Sequence, residues 1–313
     1  MSDGWWPEIR AGLNGTPYRP AGYIYSVDGT SYNGFPGTPQ PLINDGTGAW
    51  SGFSSGIVGG LINTADGLWA SRCIAYPAAT LPMWPSVQQG RANLVAAIQA
   101  DVSAYQAANG SLDGLVIAGT GYSQGTMVWD QVWVLDILAE DGVLHEVLPY
   151  VYRIYQFGHI FRTPGIAWGN ALAGLPQSLI QDGVETGGIG LSMDLTPDQT
   201  NWPAPDGKPV IHSCANLGDI YTCCSTGLNP WTAPAPEGRV GHIFEQVIMQ
   251  PTMADIIDTA AVLEEPIQAV IELFHTMQFF AEGTLAPHYQ YYTQMDACIT
   301  DALTLGQSLP HQL

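Results

Sequence analysis

A short apolar run that passes through a glycine-flanked serine into a helical pattern constrains this chain more than any other feature. Residues 114–119, GLVIAG, form a continuous apolar run bounded by glycines, as expected of a central strand in a parallel sheet. Residues 126–140, TMVWDQVWVLDILAE, have apolar side chains at helical spacing. Between them, residues 121–125, GYSQG, fit the pattern G-x-S-x-G. A strand, a sharp turn and a helix are therefore predicted, with Ser123 pointing away from the sheet.

This turn predicts chemistry as well as shape. Bulky side chains two positions either side of Ser123 would collide in so tight a turn, so glycine is expected there. The positive end of the following helix and the N–H of Gln124 are suited to stabilise an oxyanion. A second donor is expected from the loop after the first strand, where Thr30 is the candidate and residues 45–48 are the alternative. Ser123 is thus interpreted as a nucleophile; a purely structural Gly-rich turn is the alternative.

Strand and helix patterns alternate along the chain, which predicts an α/β fold with a mostly parallel sheet. The other predicted strands are residues 22–30, 71–79, 150–158 and 208–216, and a long helix is predicted to begin near Pro85 and to end at Gly110. Residues 163–206 are rich in Gly and Pro and predict a long surface excursion. Residues 1–20 are interpreted as an N-terminal extension.

The pattern changes at about residue 240, where three helical stretches are interrupted by prolines. Residues 240–283 are predicted to form an inserted helical cap. Residues 21–239 and 284–313 are assigned to the α/β domain that surrounds it. The apolar side chains of the cap are candidates for binding a substrate, and packing on the sheet is the alternative.

A serine hydroxyl is a poor nucleophile unless a histidine removes its proton and an acid orients that histidine. In α/β-hydrolases the acid follows the serine in the chain and the histidine comes last. Asp219 fits, because it follows the strand at 208–216 in a Gly-Asp turn. The alternative is a turn aspartate that caps backbone N–H groups. Asp28 and Asp45 precede Ser123, and Asp206 precedes its strand.

The histidines after Asp219 are His242, His275 and His288. His275 lies within a helical pattern and is expected to pack in the core. His242 and His288 both lie where a catalytic base is expected, and an uninterrupted cap between the acid and the base favours His288. His145 and His159 precede Asp219, although His159 remains a candidate to line the site.

Composition excludes several functions. The chain has 8 basic and 28 acidic residues, giving a net charge of −20, so nucleic-acid binding through basic residues is not expected. No apolar stretch reaches the roughly 18 residues that span a bilayer, and no integral membrane association is predicted. The low charged fraction fits a neutral or apolar substrate. No metal site or other cofactor is predicted, because zinc-type cysteine spacing is missing.

The 5 cysteines leave at least one thiol without an intrachain partner. Cys214 paired with Cys223 or Cys224 is a candidate disulfide across a short loop. The other cysteines are Cys73 and Cys298.

Five segments in order, YPAATLPMWPSV, GYSQG, FGHIFRTPG, NLGDIY and APHYQYY, give the chain a resemblance to a known family. From about residue 20 to 295 it resembles the lysin B proteins of mycobacteriophages, a branch of the cutinase-like serine esterases. The resemblance implies an α/β-hydrolase fold with a helical insert between acid and base. It therefore favours His288 as the base, with His242 as the alternative.

The resemblance also implies an activity, the hydrolysis of the ester bond between mycolic acid and arabinogalactan in the host envelope. A general cutinase or lipase, and a phage virion protein used for host binding or entry, are the alternatives. The N-terminal residues show no secretory signal pattern. We therefore expect the protein to be made in the host cytoplasm and to act at the host envelope after lysis-dependent release. It is also expected to be a monomer.

Overall fold

A five-stranded parallel sheet lies at the centre of the described part of the chain. The structure is a computed structural model, and it describes residues 22–30, 69–79, 81–181, 183–190, 194–225, 250–256 and 287–309. In chain order the strands are β1 (Gly22–Val27), β2 (Trp69–Cys73), β3 (Ile117–Tyr122), β4 (Val151–Phe157), β5 (Ile180–Gln181), β6 (Val184–Gly187), β7 (Ile211–Cys214) and β8 (Cys224–Ser225). The main sheet has the order β2-β1-β3-β4-β7, and all of its neighbouring strands are parallel. The predicted parallel α/β architecture is confirmed.

Helices connect and cover these strands. They are α1 (Met83–Asn109), α2 (Gln124–Val132), α3 (Trp168–Leu172), α4 (Pro197–Thr200) and α5 (Tyr292–Ser308). A π-helical segment, Trp133–Leu138, continues α2, and 3₁₀ helices lie at His145–Tyr150 and Pro287–Tyr289. Strands β5, β6 and β8 form a small antiparallel sheet. Among the residues described, no helix is both long and apolar enough to cross a bilayer.

Alternation of side chains along the strands gives the sheet two apolar faces. On β1, Tyr25 and Val27 pack in one cluster with α1 and α2, whereas Ile24 packs in a second cluster on the other face. The second cluster includes Cys298, Ala302 and Leu305 of α5. Both faces are covered by helices, as a parallel sheet requires.

The segment 163–206 is not the surface excursion that its composition predicts. It contains α3, β5, β6 and α4, and Ile189 and Leu195 are buried in the main core. The reason is close backbone packing: a Cβ on Gly188 would lie 2.0 Å from the Ile160 carbonyl oxygen. Glycine here permits contact with the interior, and a composition rich in glycine does not by itself place a segment at the surface.

Several predictions fall on residues that the structure does not describe. The N-terminal extension, the loop at 45–48, His242, His275 and nearly all of the cap at 240–283 lie outside the described residues. The C-terminal helix α5, by contrast, is described in full and was not among the predicted elements.

A buried ion pair between Arg153 and Asp301 attaches α5 to the sheet. The Arg153 guanidinium on β4 donates to Asp301 of α5 at 3.0 Å and to Asp206 at 2.5 Å. The Tyr155 hydroxyl also donates to Asp301, at 2.9 Å. Beside this cluster, burial and then the Arg153 charge lower the pKa of His212 from 6.5 to about 4. In the folded protein at neutral pH, the His212 imidazole is therefore uncharged.

We expect acid to destabilise the protein through His212. Below pH 6.5 the unfolded chain binds a proton at this imidazole, and the folded protein does not until the pH approaches about 4. The contribution of His212 to the free energy of unfolding is therefore largest above pH 6.5, and it is lost as the pH falls toward about 4. Between about pH 7 and about pH 5 the free energy of unfolding should fall about 2 kcal/mol further in the parent protein than in His212→Gln. Urea unfolding at both pH values measures this; equal losses in the two proteins would contradict it.

Candidate active site

Ser123 occupies a strained turn between β3 and α2. Its φ is 51° and its ψ is −121°, a backbone conformation that costs of the order of 1–3 kcal/mol in a residue with a side chain. The Ser123 N–H donates to the Phe157 carbonyl oxygen at the end of β4, at 2.8 Å. The turn is therefore fixed against the neighbouring strand, and the serine itself is buried.

Both glycines of the motif lie in close contact with neighbouring residues. A Cβ on Gly121 would lie 2.4 Å from the Gln156 side-chain oxygen. A Cβ on Gly125 would lie 1.9 Å from the Val27 carbonyl oxygen. Neither distance is compatible with a carbon atom, so the first turn of α2 approaches β1 only because residue 125 is glycine. The collision expected from the sequence is thus found on both sides of the serine.

Both the nitrogen and the oxygen of the Gln124 side-chain amide are hydrogen-bonded beside the serine. Its amide nitrogen donates to the Ala79 carbonyl oxygen at 2.7 Å, and its oxygen accepts from the Ser86 hydroxyl at 3.1 Å. The Ala79 N–H in turn donates to the Ser86 hydroxyl, at 3.0 Å. The amide is therefore committed to the loop before α1, and only the backbone N–H of Gln124 remains suited to face an oxyanion.

The loop after β1 packs directly on the serine turn. A Cβ on Gly29 would lie 3.0 Å from the Ser123 Cβ and 3.1 Å from the Tyr122 carbonyl oxygen. The Tyr76 hydroxyl holds this loop by donating to the Asp28 carbonyl oxygen at 2.7 Å. Thr30, the candidate second oxyanion donor, follows Gly29 and is partly exposed. The structure brings the loop of Thr30 to the serine.

Asp219 and His288 form a buried hydrogen-bonded pair. His288 Nδ1 lies 2.9 Å from Asp219 Oδ2, and both side chains are fully buried. Since a carboxylate only accepts, Nδ1 is the donor. Asp219 Oδ1 accepts from the Tyr221 N–H at 3.0 Å. Asp219 therefore caps its own turn and also accepts a hydrogen bond from an imidazole, so the capping role does not exclude the role of an acid.

The imidazole lies against Tyr122 and Gly158. These residues are the chain neighbours of Ser123 and Phe157, which are joined by the backbone hydrogen bond described above. The Tyr122 ring stacks on His288 with centroids 5.3 Å apart, and the Tyr122 hydroxyl donates to the His288 carbonyl oxygen at 3.1 Å. A Cβ on Gly158 would lie 2.6 Å from His288 Cε1, and Gly158 has a φ of 61°. Glycine is required there by both the ring and the backbone. Residues at the ends of β3 and β4 thus meet the His288 loop.

Aromatic rings enclose the imidazole. Besides Tyr122, the rings of Tyr221, Tyr289 and Tyr291 have centroids 5.0, 5.6 and 6.5 Å from that of His288. Aromatic rings exclude water, which strengthens the attraction between an imidazolium and a neighbouring carboxylate. The arrangement is suited to a histidine that gains and loses a proton beside a fixed negative charge.

Asn216 connects the acid loop to the histidine loop, and the sequence analysis missed it. Its amide nitrogen donates to the carbonyl oxygens of Pro287 and Gln290 at 3.0 and 2.9 Å. Gln294 of α5 donates to the Asn216 oxygen at 2.8 Å. The turn that carries His288 is thereby held to the segment that carries Asp219. The sequence feature that could have indicated Asn216 is its position between a strand and a Gly-Asp turn. That position does not show which groups its side chain contacts.

Other candidate residues lie elsewhere. His159 is fully buried, with Nε2 2.9 Å from Asp130 and Nδ1 2.7 Å from the Ser213 hydroxyl, so it belongs to the core and does not line the site. Burial raises the pKa of Asp130, and His159 partly offsets this. Asp206 binds Arg153, as described above. His145 Nδ1 lies 3.0 Å from the Ile137 carbonyl oxygen.

Neither of the predicted disulfides is formed, because Cys214 is a thiol. It packs with Cys298 in the apolar cluster that covers one face of the sheet. Cys223 packs in a separate small cluster with Ala167 and Ala215. A short separation in sequence therefore does not bring these sulfur atoms together.

The chain is similar to known proteins both in sequence and in fold. No family model matches the sequence. Endolysin B of Mycobacterium phage D29 is 38% identical over 92 residues, which are 29% of this chain and 34% of that protein. Endolysin B of Mycobacterium phage L5 is 37% identical over 92 residues, again 29% of this chain and 34% of the relative. The match spans about a third of the length of these relatives. The chain is homologous to Endolysin B over this stretch.

The similarity in fold extends over most of the chain. The crystal structure of lysin B from mycobacteriophage D29 matches with a TM-score of 0.62 and 22% identity, covering 93% of this chain and 100% of that one. The fold is that of lysin B. This match agrees with the predicted fold, a mostly parallel sheet covered by helices.

From these contacts we predict that loss of the Asn216 amide lowers the rate of any reaction that uses His288. Asn216→Ala removes two donors from the histidine turn, and kcat/KM for a short p-nitrophenyl ester should fall about tenfold. Asn93→Ala is the matched control, because the Asn93 amide also donates to a backbone carbonyl, that of Ala75, at 2.6 Å. Steady-state kinetics with both variants decides. Equal activities in the two variants would show that Asn216 does not position the histidine.

Proposed function

We propose that this chain is a serine esterase in which Ser123 is the nucleophile, His288 the general base and Asp219 the acid that orients it. The observation that carries the proposal is the 2.9 Å hydrogen bond between the buried His288 and Asp219 side chains, beside a serine held at a φ of 51°. A strained serine above the amino end of a helix is the arrangement in which nucleophilic serines of α/β-hydrolases occur. His242, the alternative base, lies outside the described residues.

The reaction is a two-step acyl transfer. Ser123 Oγ attacks the ester carbonyl carbon while its proton passes to His288 Nε2, and the carbonyl electrons form an oxyanion. The backbone N–H of Gln124 and a donor from the loop of Thr30 stabilise this oxyanion. The intermediate collapses, the alcohol leaves with the proton from His288, and the acyl group stays on Ser123. Water then attacks the acyl carbon while His288 takes its proton. That proton passes to Ser123 Oγ, and the carboxylic acid is released.

The proposed substrate is a lipid ester of the host cell envelope, and specifically the ester that joins mycolic acid to arabinogalactan. Homology to Endolysin B of two mycobacteriophages supports an envelope substrate. Two features of the chain agree with an uncharged, apolar acyl group. The net charge of −20 disfavours a polyanion, and Leu217, two residues before Asp219, is 54% exposed. The enzyme is proposed to act at the envelope as a monomer, without a metal or other cofactor.

Loss of the hydroxyl tests the nucleophile. Ser123→Ala should lower hydrolysis of a short p-nitrophenyl ester by at least about a thousandfold, and should abolish labelling by a fluorophosphonate, which reacts only with an activated serine. Ser111→Ala is the control, since Ser111 lies on an exposed loop where its hydroxyl donates to Asp113. Near-normal hydrolysis by Ser123→Ala would eliminate this mechanism. A parent protein that is neither labelled nor active would favour the binding role of a virion protein.

The substrate is tested by comparing purified mycolyl-arabinogalactan, a triglyceride and cutin at equal ester concentration. Release of mycolic acid at a higher kcat/KM than release of fatty acid from the other two is expected. Mass spectrometry of the released acids measures all three. Efficient hydrolysis of triglyceride or cutin with no mycolic acid released would identify a general cutinase or lipase instead.

A further inference from the structure

The carboxylate of Asp219 accepts from a second side chain besides His288. The Tyr291 hydroxyl donates to Asp219 Oδ2 at 2.5 Å. This is the oxygen that also accepts from His288 Nδ1, at 2.9 Å. One carboxylate oxygen is thus shared between the imidazole and a phenol, while Oδ1 is occupied by the Tyr221 N–H.

The Tyr291 side chain is buried and held by contacts with neighbouring residues. Tyr291 is fully buried at the residue that precedes α5, three positions after His288 in the chain. Its ring meets that of Phe157 edge to face, with centroids 6.2 Å apart. Its hydroxyl oxygen lies 3.3 Å from the hydroxyl of Thr222. The same short loop therefore delivers both the imidazole and the phenol to Asp219.

The phenol remains protonated and acts only as a donor to the carboxylate. Burial, and then the charge of Asp219, raise the pKa of Tyr291 well above its ordinary value. A hydrogen bond from a neutral donor to a carboxylate is shorter and stronger than one between neutral groups. Two donors on one oxygen compete for its charge, so the bond from Tyr291 weakens the attraction between Asp219 and a protonated His288.

We infer that Tyr291 is a positioning residue for the proposed esterase, which holds Asp219 Oδ2 in place and sets how strongly that carboxylate favours the protonated form of the base. The inference rests on the proposed function, because a base is needed for the effect to appear as a rate. Tyr291 acts through Asp219 and does not contact a substrate.

Three other titratable groups near this cluster, Tyr221, Cys223 and Arg162, keep their charge state in acid. Burial raises the pKa of the Cys223 thiol and of the Tyr221 hydroxyl, so both stay neutral. The guanidinium of Arg162 is fully buried and donates to the Thr222 carbonyl oxygen at 2.8 Å; burial lowers its pKa, but from so high a value that it stays cationic. The Tyr289 ring meets the imidazole edge to face, with centroids 5.6 Å apart.

The test is Tyr291→Phe, which removes the hydroxyl and keeps the ring. Tyr155→Phe is the matched control, because Tyr155 is also fully buried and donates to a carboxylate, Asp301, at 2.9 Å. For a short p-nitrophenyl ester, kcat of Tyr291→Phe should fall about tenfold with KM changed less than about twofold. The acidic limb of kcat/KM should move to higher pH by about half a unit to one unit, because Asp219 then holds the imidazolium more strongly. Tyr155→Phe should leave the limb where it is.

Thr222→Val is a second variant that leaves the phenol in place and removes the neighbouring hydroxyl. It should shift the acidic limb in the same direction as Tyr291→Phe but by less. If Tyr291→Phe does not fold, as judged from its melting temperature, the Thr222→Val shift decides. A fall in kcat that is equal at all pH values, or a limb that does not move in either variant, overturns the inference and indicates a packing role.

A proton NMR measurement separates this inference from the proposed function. The Nδ1–H of His288 gives a low-field resonance that reports its hydrogen bond to Asp219. It should move further downfield in Tyr291→Phe, whether or not the protein hydrolyses esters, and an unmoved resonance overturns the inference. If the parent protein is inactive and the resonance still moves, the esterase proposal fails while the role of Tyr291 on Asp219 holds.

Discussion

The contact between Gly125 and the Val27 carbonyl sets how closely the first turn of α2 approaches the end of β1. Because a Cβ at residue 125 would lie 1.9 Å from that oxygen, the approach depends on glycine. It places the helix amino end, the strained Ser123 and the loop of Thr30 in one small region. The serine turn, the adjacent strand ends and the loop that carries Gly29 all depend on this one steric condition.

The second condition is the satisfaction of buried charge. A buried carboxylate costs several kcal/mol unless it is paired and hydrogen-bonded, and Asp219 has three donors on its two oxygens. Those donors come from its own turn and from the loop before α5. The site is thereby connected to α5, which is in turn joined to the sheet through Asp301 and Arg153. The C-terminal helix stabilises the fold and also supports the geometry around His288.

Local patterns in the sequence were sufficient where the interactions are local. The glycine-flanked serine, the strands around it and α1 are found close to their predicted positions, because backbone sterics and side-chain periodicity act over a few residues. The prediction of a surface excursion at 163–206 was wrong because Gly188 permits burial as readily as exposure. The contribution of α5 was missed because its buried face becomes visible only when the sheet is in place. Asn216 and Tyr291 were missed for the same reason, since each contacts residues about 70 positions away.

The sequence by itself determined the parallel α/β sheet, the serine turn and the chain order in which an acid and a base must follow. Apolar periodicity and glycine spacing encode these features directly. Only the tertiary structure decided that Asp219 and His288 share a hydrogen bond, that Tyr291 joins them on the same oxygen, and that His159 belongs to the core. These are contacts between distant loops, and their geometry depends on how β3, β4 and β7 align at one edge of the sheet.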